Sequence, residues 1–307
     1  MFSAGKAVSC RRLSKRTAGL AVLCIALLGL PETLCAKSGS NAVDSWAVVG
    51  ARVHSMTPGE APIQEGVVVV KRGRVRCVGG QEKNAKKGTK VCPVPVGAKV
   101  FAFPRGVVMP GLLDASTHIG LVEISLEPGS KDGVLSKISN AAHIRALDGV
   151  HMNSRLLEAA RWGGVTTVIS RPMGGGLVVG QSVAFQTLGT VIDDAMIRAS
   201  CAIHVNVGNI AKLKGQPLVG SRSGQIATLR DLLTRAGHLL QPAKKARNHF
   251  DPELARMRHD PAMRSLALAR SKARPLAVHA HRADDIAAAL RLKRDLDVNI
   301  IIVGGIE

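Results

Sequence analysis

The apolar positions of residues 45–106 fall into short runs that are separated by turn residues. The pair Arg72-Gly73 divides two of these runs, which is typical of a β-hairpin. Short strands joined mostly by turns are characteristic of small antiparallel sheets, so we expect a small antiparallel domain over 45–106, either a β-sandwich or a barrel. The predicted strands are Trp46–Val53, Gly66–Val70, Arg74–Val78, Val91–Val96 and Lys99–Phe103.

Over 107–307 the pattern changes, because apolar strands now alternate with amphipathic helices. This alternation predicts a parallel sheet with covering helices, and buried parallel strands are expected to be continuous apolar runs. The predicted strands are Val107–Leu113, Val165–Ile169, Ala202–Val207, Pro275–His279 and Val298–Val303. The predicted helices are Asn153–Trp162, Ser223–Ala236 and Asp284–Arg294.

The first residues have the pattern of a secretory signal. A basic stretch, Lys6–Arg16, precedes the uncharged apolar run Ala18–Leu30, and Leu34-Cys35-Ala36 offers a cleavage site. The apolar run is short for a transmembrane helix, which needs about 20 residues. We therefore predict a signal peptide over 1–36 and export to the periplasm or the exterior, with an uncleaved anchor as the alternative.

The formal net charge of the chain is +20, which raises the question of a nucleic-acid partner. Lys and Arg are scattered, and aromatic residues make up only 2% of the chain, so stacking platforms for single strands are missing. We expect a small-molecule substrate, no nucleic acid and no stable membrane span beyond the signal segment. The oligomeric state is not predicted.

Two of the cysteines that follow the leader lie in the strand-rich region. Cys77 and Cys92 could form a disulfide in an oxidising compartment, and buried free thiols are the alternative.

Four ordered motifs resemble the metal-dependent amidohydrolase superfamily. The stretch Val107–Gly120 contains Pro-Gly-Leu-Leu-Asp, which in that superfamily is followed by His-x-His. The runs that precede it resemble the small β-sandwich that leads into the amidohydrolase barrel. Gly163-Gly-Val-Thr-Thr-Val168 and Val278-His-Ala-His-Arg-Ala-Asp-Asp-Ile286 are also typical, and they are similar to the imidazolonepropionase-related branch.

The resemblance implies a (β/α)8 TIM-type barrel with its chemistry at the carboxyl ends of the strands. The sequence stops shortly after the apolar run Ile300–Val303, so we expect an incomplete, C-terminally truncated barrel over 107–307. A divalent metal, zinc by expectation, would lower the pKa of a bound water and polarise the scissile carbonyl.

The metal ligands implied by the resemblance are His118, His279 and His281. Ser116 stands where the first histidine of the His-x-His pair belongs, and Gly304-Gly305 stands where the family often has His-Gly. A serine hydroxyl is a poor zinc ligand beside imidazole. These departures make the ligand set degenerate.

Two further residues are candidate substrate contacts. Gln181 follows the glycine-rich stretch Gly174–Gly176, which we interpret as a loop at the barrel mouth, and Arg282 could bind an anionic substrate. Asp284 and Asp285 suit the first turn of a helix, where the helix dipole favours negative charge. The remaining histidines, His204 among them, are expected on the surface or in the core.

The resulting hypothesis is an exported hydrolase that acts on C–N bonds other than peptide bonds, such as those of cyclic amides. The alternative is a barrel that has lost catalysis and acts as a binding protein, or a truncated, non-functional fragment.

Overall fold

The computed structural model describes residues 45–81, 90–135, 139–212, 219–240 and 252–307. The predicted signal peptide over 1–36 lies outside these ranges. Across the described ranges, none of the helices combines the length and the apolar character that a membrane crossing requires.

The described residues form a mixed α/β fold of fifteen strands and six α-helices. The strands are β1 Ser45–Val53, β2 Ile63–Lys71, β3 Arg74–Gly80, β4 Lys99–Ala102, β5 Val107–Val108, β6 Leu112–Thr117, β7 Val134–Leu135, β8 Val165–Ser170, β9 Met173–Gly174, β10 Val178–Gln181, β11 Val183–Gln186, β12 Met196–Arg198, β13 Ile203–Asn206, β14 Leu276–Ala280 and β15 Ile300–Gly304. The helices are α1 Arg155–Trp162, α2 Ile192–Ala195, α3 Arg222–His238, α4 Pro252–His259, α5 Pro261–Arg270 and α6 Ala283–Leu296.

The N-terminal sheet has the strand order β3-β2-β1-β4, and β5 pairs with β1. Arg72 and Gly73 connect β2 to β3 with φ values of 53° and 68°, as a type I′ hairpin turn requires, so the predicted hairpin is confirmed. The predicted strand Val91–Val96 is wrong, since only Val91 pairs, in a single bridge to Gly80. Pro93 and Pro95 have no N–H to donate to a ladder. A second layer of a sandwich stays a prediction.

A disulfide joins Cys77 on β3 to Cys92, with a Cα–Cα distance of 5.7 Å. Cys92 is buried in a small apolar cluster with Ala47, Val67 and Val69. Of the two alternatives for these cysteines, the structure therefore has the disulfide, which ties the segment after β3 to the sheet.

The predicted strand Val107–Leu113 is broken into β5 and β6. Pro110 removes a donor, and Gly111 packs so tightly on Thr166 that a Cβ there would lie 2.1 Å from the threonine Oγ1. The chain therefore changes sheets between β5 and β6. β6 then pairs in parallel with β8, and the sheet continues through antiparallel β11 and β12.

A third sheet has the order β10-β13-β14-β15. β13, β14 and β15 are parallel, as the alternating pattern predicts, whereas β10 is antiparallel to β13. The largest apolar core joins this sheet to α3, α5 and α6, with Ile203, Leu233, Leu266 and Leu276 at most 1% exposed. In the described residues β6 and β13 lie in separate sheets, so closure into a single barrel stays a prediction.

Residues that cap the helices set their starts and ends. α1 begins later than predicted because the hydroxyl of Ser154 accepts a hydrogen bond from the N–H of Leu156. Gly163 and Gly164, the latter with φ of 87°, end the helix ahead of β8. The chain thereby returns at once into the strand beside β6.

Candidate functional site

Polar side chains collect at and near the carboxyl ends of the parallel strands β6, β8, β13 and β14. This location is where barrel and open α/β proteins hold their ligands. We call the group the strand-end cluster, and its members are Ser116, His118, Arg171, His204, His279 and His281.

The β6 and β8 side of the strand-end cluster is tied together by two hydrogen bonds. His118 Nδ1 lies 2.9 Å from the backbone oxygen of Arg171, and since a carbonyl only accepts, Nδ1 carries the hydrogen. Arg171 Nε in turn donates to Ser116 Oγ at 2.9 Å. The guanidinium is therefore held beside the residue that stands in the place of the first family histidine.

The β13 and β14 side consists of two facing imidazoles. His204 Nδ1 and His279 Nε2 are 2.9 Å apart, and the two ring centroids are separated by 5.3 Å. Both residues are almost fully buried, at 3% and 4% exposure. His204 Nε2 is buried and has no hydrogen-bond partner among the described residues. We call His204 and His279 the dry pair, because both imidazoles are almost fully shielded from bulk solvent.

Every charge that perturbs these imidazoles is positive. Burial lowers the pKa of His279 to about 3, and the charges of Arg171, His118 and His281 act in the same direction. Burial, followed by His279, Arg171 and His118, also lowers the pKa of His204. Burial is the main cause of the lowered pKa of His118, with a further contribution from the charge of Arg171. The buried pair is neutral at ordinary pH.

The third predicted metal ligand, His281, comes one residue after β14 ends and lies against the backbone of the next strand. A Cβ added at Gly304 would be 2.5 Å from His281 Cε1. The imidazole therefore covers the position where the family often has its own histidine. His281 is exposed, in contrast to His279.

The predicted substrate contacts Gln181 and Arg282 make other interactions. Gln181 Nε2 donates to the backbone oxygen of Ala142 at 2.8 Å and to Ser265 Oγ at 3.2 Å. Both amide hydrogens of Gln181 are thereby used within the protein. Arg282 forms an exposed ion pair with Asp284 at 3.0 Å.

The glycine-rich stretch turns carbonyl groups inward. The backbone oxygens of Gly174 and Gly176 accept from Asn206 Nδ2 at 2.8 and 2.9 Å, and Gly174 has φ of 142°. This loop is thus a backbone turn fixed by an asparagine of β13. Its oxygens are occupied by that side chain.

Sequence reasoning missed two members of the cluster. His204 was expected on the surface or in the core, yet it meets His279 because β13 and β14 are neighbours. No role was predicted for Arg171. Only its position could have indicated one, because Arg171 is the first residue after β8, and functional groups often lie at the carboxyl ends of parallel strands.

The residues present do not fit a three-ligand metal centre. Within the described ranges no group of three His, Cys, Asp or Glu side chains could hold a metal ion. A catalytic zinc needs three protein ligands and an open position. Ser116 is bonded to a guanidinium, whose positive charge opposes a second cation nearby. One feature does resemble a metal ligand: His118 donates through Nδ1, and its Nε2 has no hydrogen bond to the described residues.

The fold and the site together define a mixed α/β protein with its polar cluster at strand ends. The structure is similar to that of an amidohydrolase from Thermotoga maritima MSB8, with a TM-score of 0.70 and 26% identity. The match covers 83% of this chain and 63% of the Thermotoga chain, so this chain spans less than two thirds of that protein. This likeness supports the amidohydrolase superfamily and an amidohydrolase fold for this chain.

Two further solved structures match more remotely. A provisionally assigned prolidase from Bifidobacterium longum is 12% identical over 81% of this chain and 53% of its own, with a TM-score of 0.33. An uncharacterised protein is 14% identical over 81% and 58%, with a TM-score of 0.32. Neither TM-score is high enough to support an argument about the fold. No protein-family model and no curated protein matches the chain.

Proposed function

We propose that this protein uses an amidohydrolase fold to bind a small molecule at the strand-end cluster, without the metal centre that metal-assisted hydrolysis needs. The observation that carries the proposal is the hydrogen bond from Arg171 Nε to Ser116 Oγ at 2.9 Å. It sets a fixed cation where the resemblance expects a metal ligand.

The finer assignments belong to the same proposal. We infer an incomplete (β/α)8 barrel over 107–307, supported by the parallel pairs β6–β8 and β13–β14–β15. The imidazolonepropionase-related branch is supported by the motif Val278–Ile286. Export is supported by the basic and apolar pattern of 1–36, and N-terminal sequencing of the secreted protein tests it, with Lys37 as the expected first residue.

Metal analysis combined with an activity screen tests the proposal. The protein is loaded with an excess of zinc, manganese or iron, dialysed and analysed by mass spectrometry for bound metal. The same samples are offered cyclic amides, and hydrolysis is followed. We expect far less than one metal per chain and no turnover.

The second candidate function is the hydrolysis of C–N bonds other than peptide bonds by metal-activated water. It is favoured by the free Nε2 of His118 and by the buried, unpartnered Nε2 of His204, which are nitrogen atoms that an ion could bind. His118 and His279, with His281 third, would then hold the metal. One equivalent of tightly bound zinc with turnover that a chelator abolishes would establish this candidate and refute the first.

A further inference from the structure

We propose that the ligand of the strand-end cluster is an oxyanion, a small molecule with a carboxylate or phosphate group, that binds the guanidinium of Arg171. This inference rests on the proposed function and names its ligand class. Three observations support it: a half-buried guanidinium without a counter-ion in the described residues, the hydrogen bonds that fix it, and the imidazoles around it.

Arg171 is a half-buried guanidinium that forms no ion pair with any carboxylate of the described ranges. A comparable arginine in the same protein is paired: Arg222, with 31% side-chain exposure, binds the buried Asp285 at 2.8 Å. Removing a charge from water is costly unless a counter-charge is present. A bound oxyanion would supply the counter-charge that Arg171 lacks.

The guanidinium is fixed in place rather than free to turn towards solvent. Its Nε donates to Ser116, its Nη1 lies 3.4 Å from the oxygen of Pro172, and its backbone oxygen binds His118. No hydrogen bond of Nη2 to the described residues is present. A planar guanidinium with free N–H groups is suited to a carboxylate or phosphate, which it binds through paired hydrogen bonds.

The surroundings of Arg171 favour an anion over a cation. The Arg171 guanidinium would repel a second cation placed beside it and would attract an anion. Two acidic residues close in sequence to the cluster accept hydrogen bonds from backbone N–H groups. Asp114 accepts from the N–H of Ser116, and Glu307 accepts from the N–H of Ala283.

Inorganic phosphate is the probe for the test, and isothermal titration calorimetry on the metal-free protein is the measurement. We expect phosphate to bind with one site per chain, and Arg171→Gln to weaken the binding at least tenfold. Arg155→Gln is the matched control, because it removes the same charge from an exposed arginine of α1 that lies outside the strand-end cluster. We expect the control to bind like the wild type.

Ser116→Ala gives a second readout if Arg171→Gln does not fold. It keeps the positive charge but removes the hydrogen bond to Nε, so phosphate binding should weaken by a smaller factor of about threefold to tenfold. Succinate replaces phosphate in a parallel titration and tells which oxyanion is preferred.

Three results would overturn the inference: no heat of binding with either phosphate or succinate, equal losses in the Arg171 and Arg155 variants, or full binding by both Arg171→Gln and Ser116→Ala. Failure of the proposed function looks different, since it appears as one zinc per chain with hydrolytic turnover. A protein that binds neither zinc nor phosphate nor succinate would refute the oxyanion as the ligand, but it would not refute the proposed function.

Discussion

The two sides of the strand-end cluster hold basic side chains that differ in how deeply they are buried. On the β6 and β8 side, His118 and Arg171 are half-buried, and each has a polar group of the opposite strand as partner. On the β13 and β14 side, His204 and His279 are dry and bind each other. The first side keeps a cation because a guanidinium stays protonated even where burial lowers its pKa, whereas burial leaves the imidazoles of the second side neutral.

The largest expected difference between the two sides is in core packing. Leu276 at the start of β14 is 1% exposed, whereas Leu112 at the start of β6 is 50% exposed. Leu276→Ala should lower the free energy of unfolding by about 2–5 kcal/mol, because it leaves a cavity in the core. Leu112→Ala is the control, and its loss should stay below about 1 kcal/mol. Urea denaturation measures the free energy of unfolding of both variants. Equal losses in Leu276→Ala and Leu112→Ala would contradict the expected difference in core packing.

The dry pair should also make stability depend on pH. The pKa of His279 is lowered from 6.5 to about 3, so the unfolded chain binds a proton more readily than the folded chain between these values. The free energy of unfolding is thus fully retained above pH 6.5 and falls on acidification, by about 1.4 kcal/mol per pH unit for this group alone. Denaturation at pH 7, 6 and 5 measures the slope. It should flatten in a variant with both His204 and His279 changed to Leu.

Breaking the dry pair should cost more than removing its solvated counterpart. His204→Leu leaves His279 Nε2 buried without a partner, and we expect a loss of about 1–3 kcal/mol. His118→Leu should cost about 1 kcal/mol or less, because water reaches the groups that it leaves behind. Restoring stability in the double variant His204→Leu/His279→Leu would support the pairing, and additive losses would argue against it.

The smallest effect is expected from Ser116→Ala. It removes one acceptor from Arg171 Nε on the solvated side, where water can take its place, so the loss should be about 0.5 kcal/mol. Thermal unfolding measures it against the wild type. A loss of unfolding free energy as large as that expected for His204→Leu would show that water does not replace the lost acceptor of Arg171 Nε.

Local signals predicted much of the fold. The hairpin turn at Arg72-Gly73 and the parallel β13, β14 and β15 follow from turn chemistry and apolar runs. The error at Val91–Val96 came from weighing valines over the two prolines between them. The antiparallel β10 and β11 were not predicted, because a Gly-rich segment of short apolar runs was interpreted as a loop.

The candidate site was predicted only in part, because its contacts join distant parts of the chain. His118 and His279 stood in recognisable motifs. The partner of His279 is a histidine 75 residues away in sequence, and its position becomes visible only once β13 and β14 are known to be neighbours. Arg171 and Ser116, 55 residues apart, present the same difficulty. Motifs identify single residues, whereas sheet order decides which of them meet.

The close contact between Gly304 and His281 limits how this protein could change over time. Gly304 has φ of 101°, and any side chain there would collide with the imidazole unless His281 moved. The single substitution Gly304→His would therefore strain this strand end. The neighbouring ring and the backbone would have to be rearranged as well, so a histidine side chain at this position requires further substitutions around it.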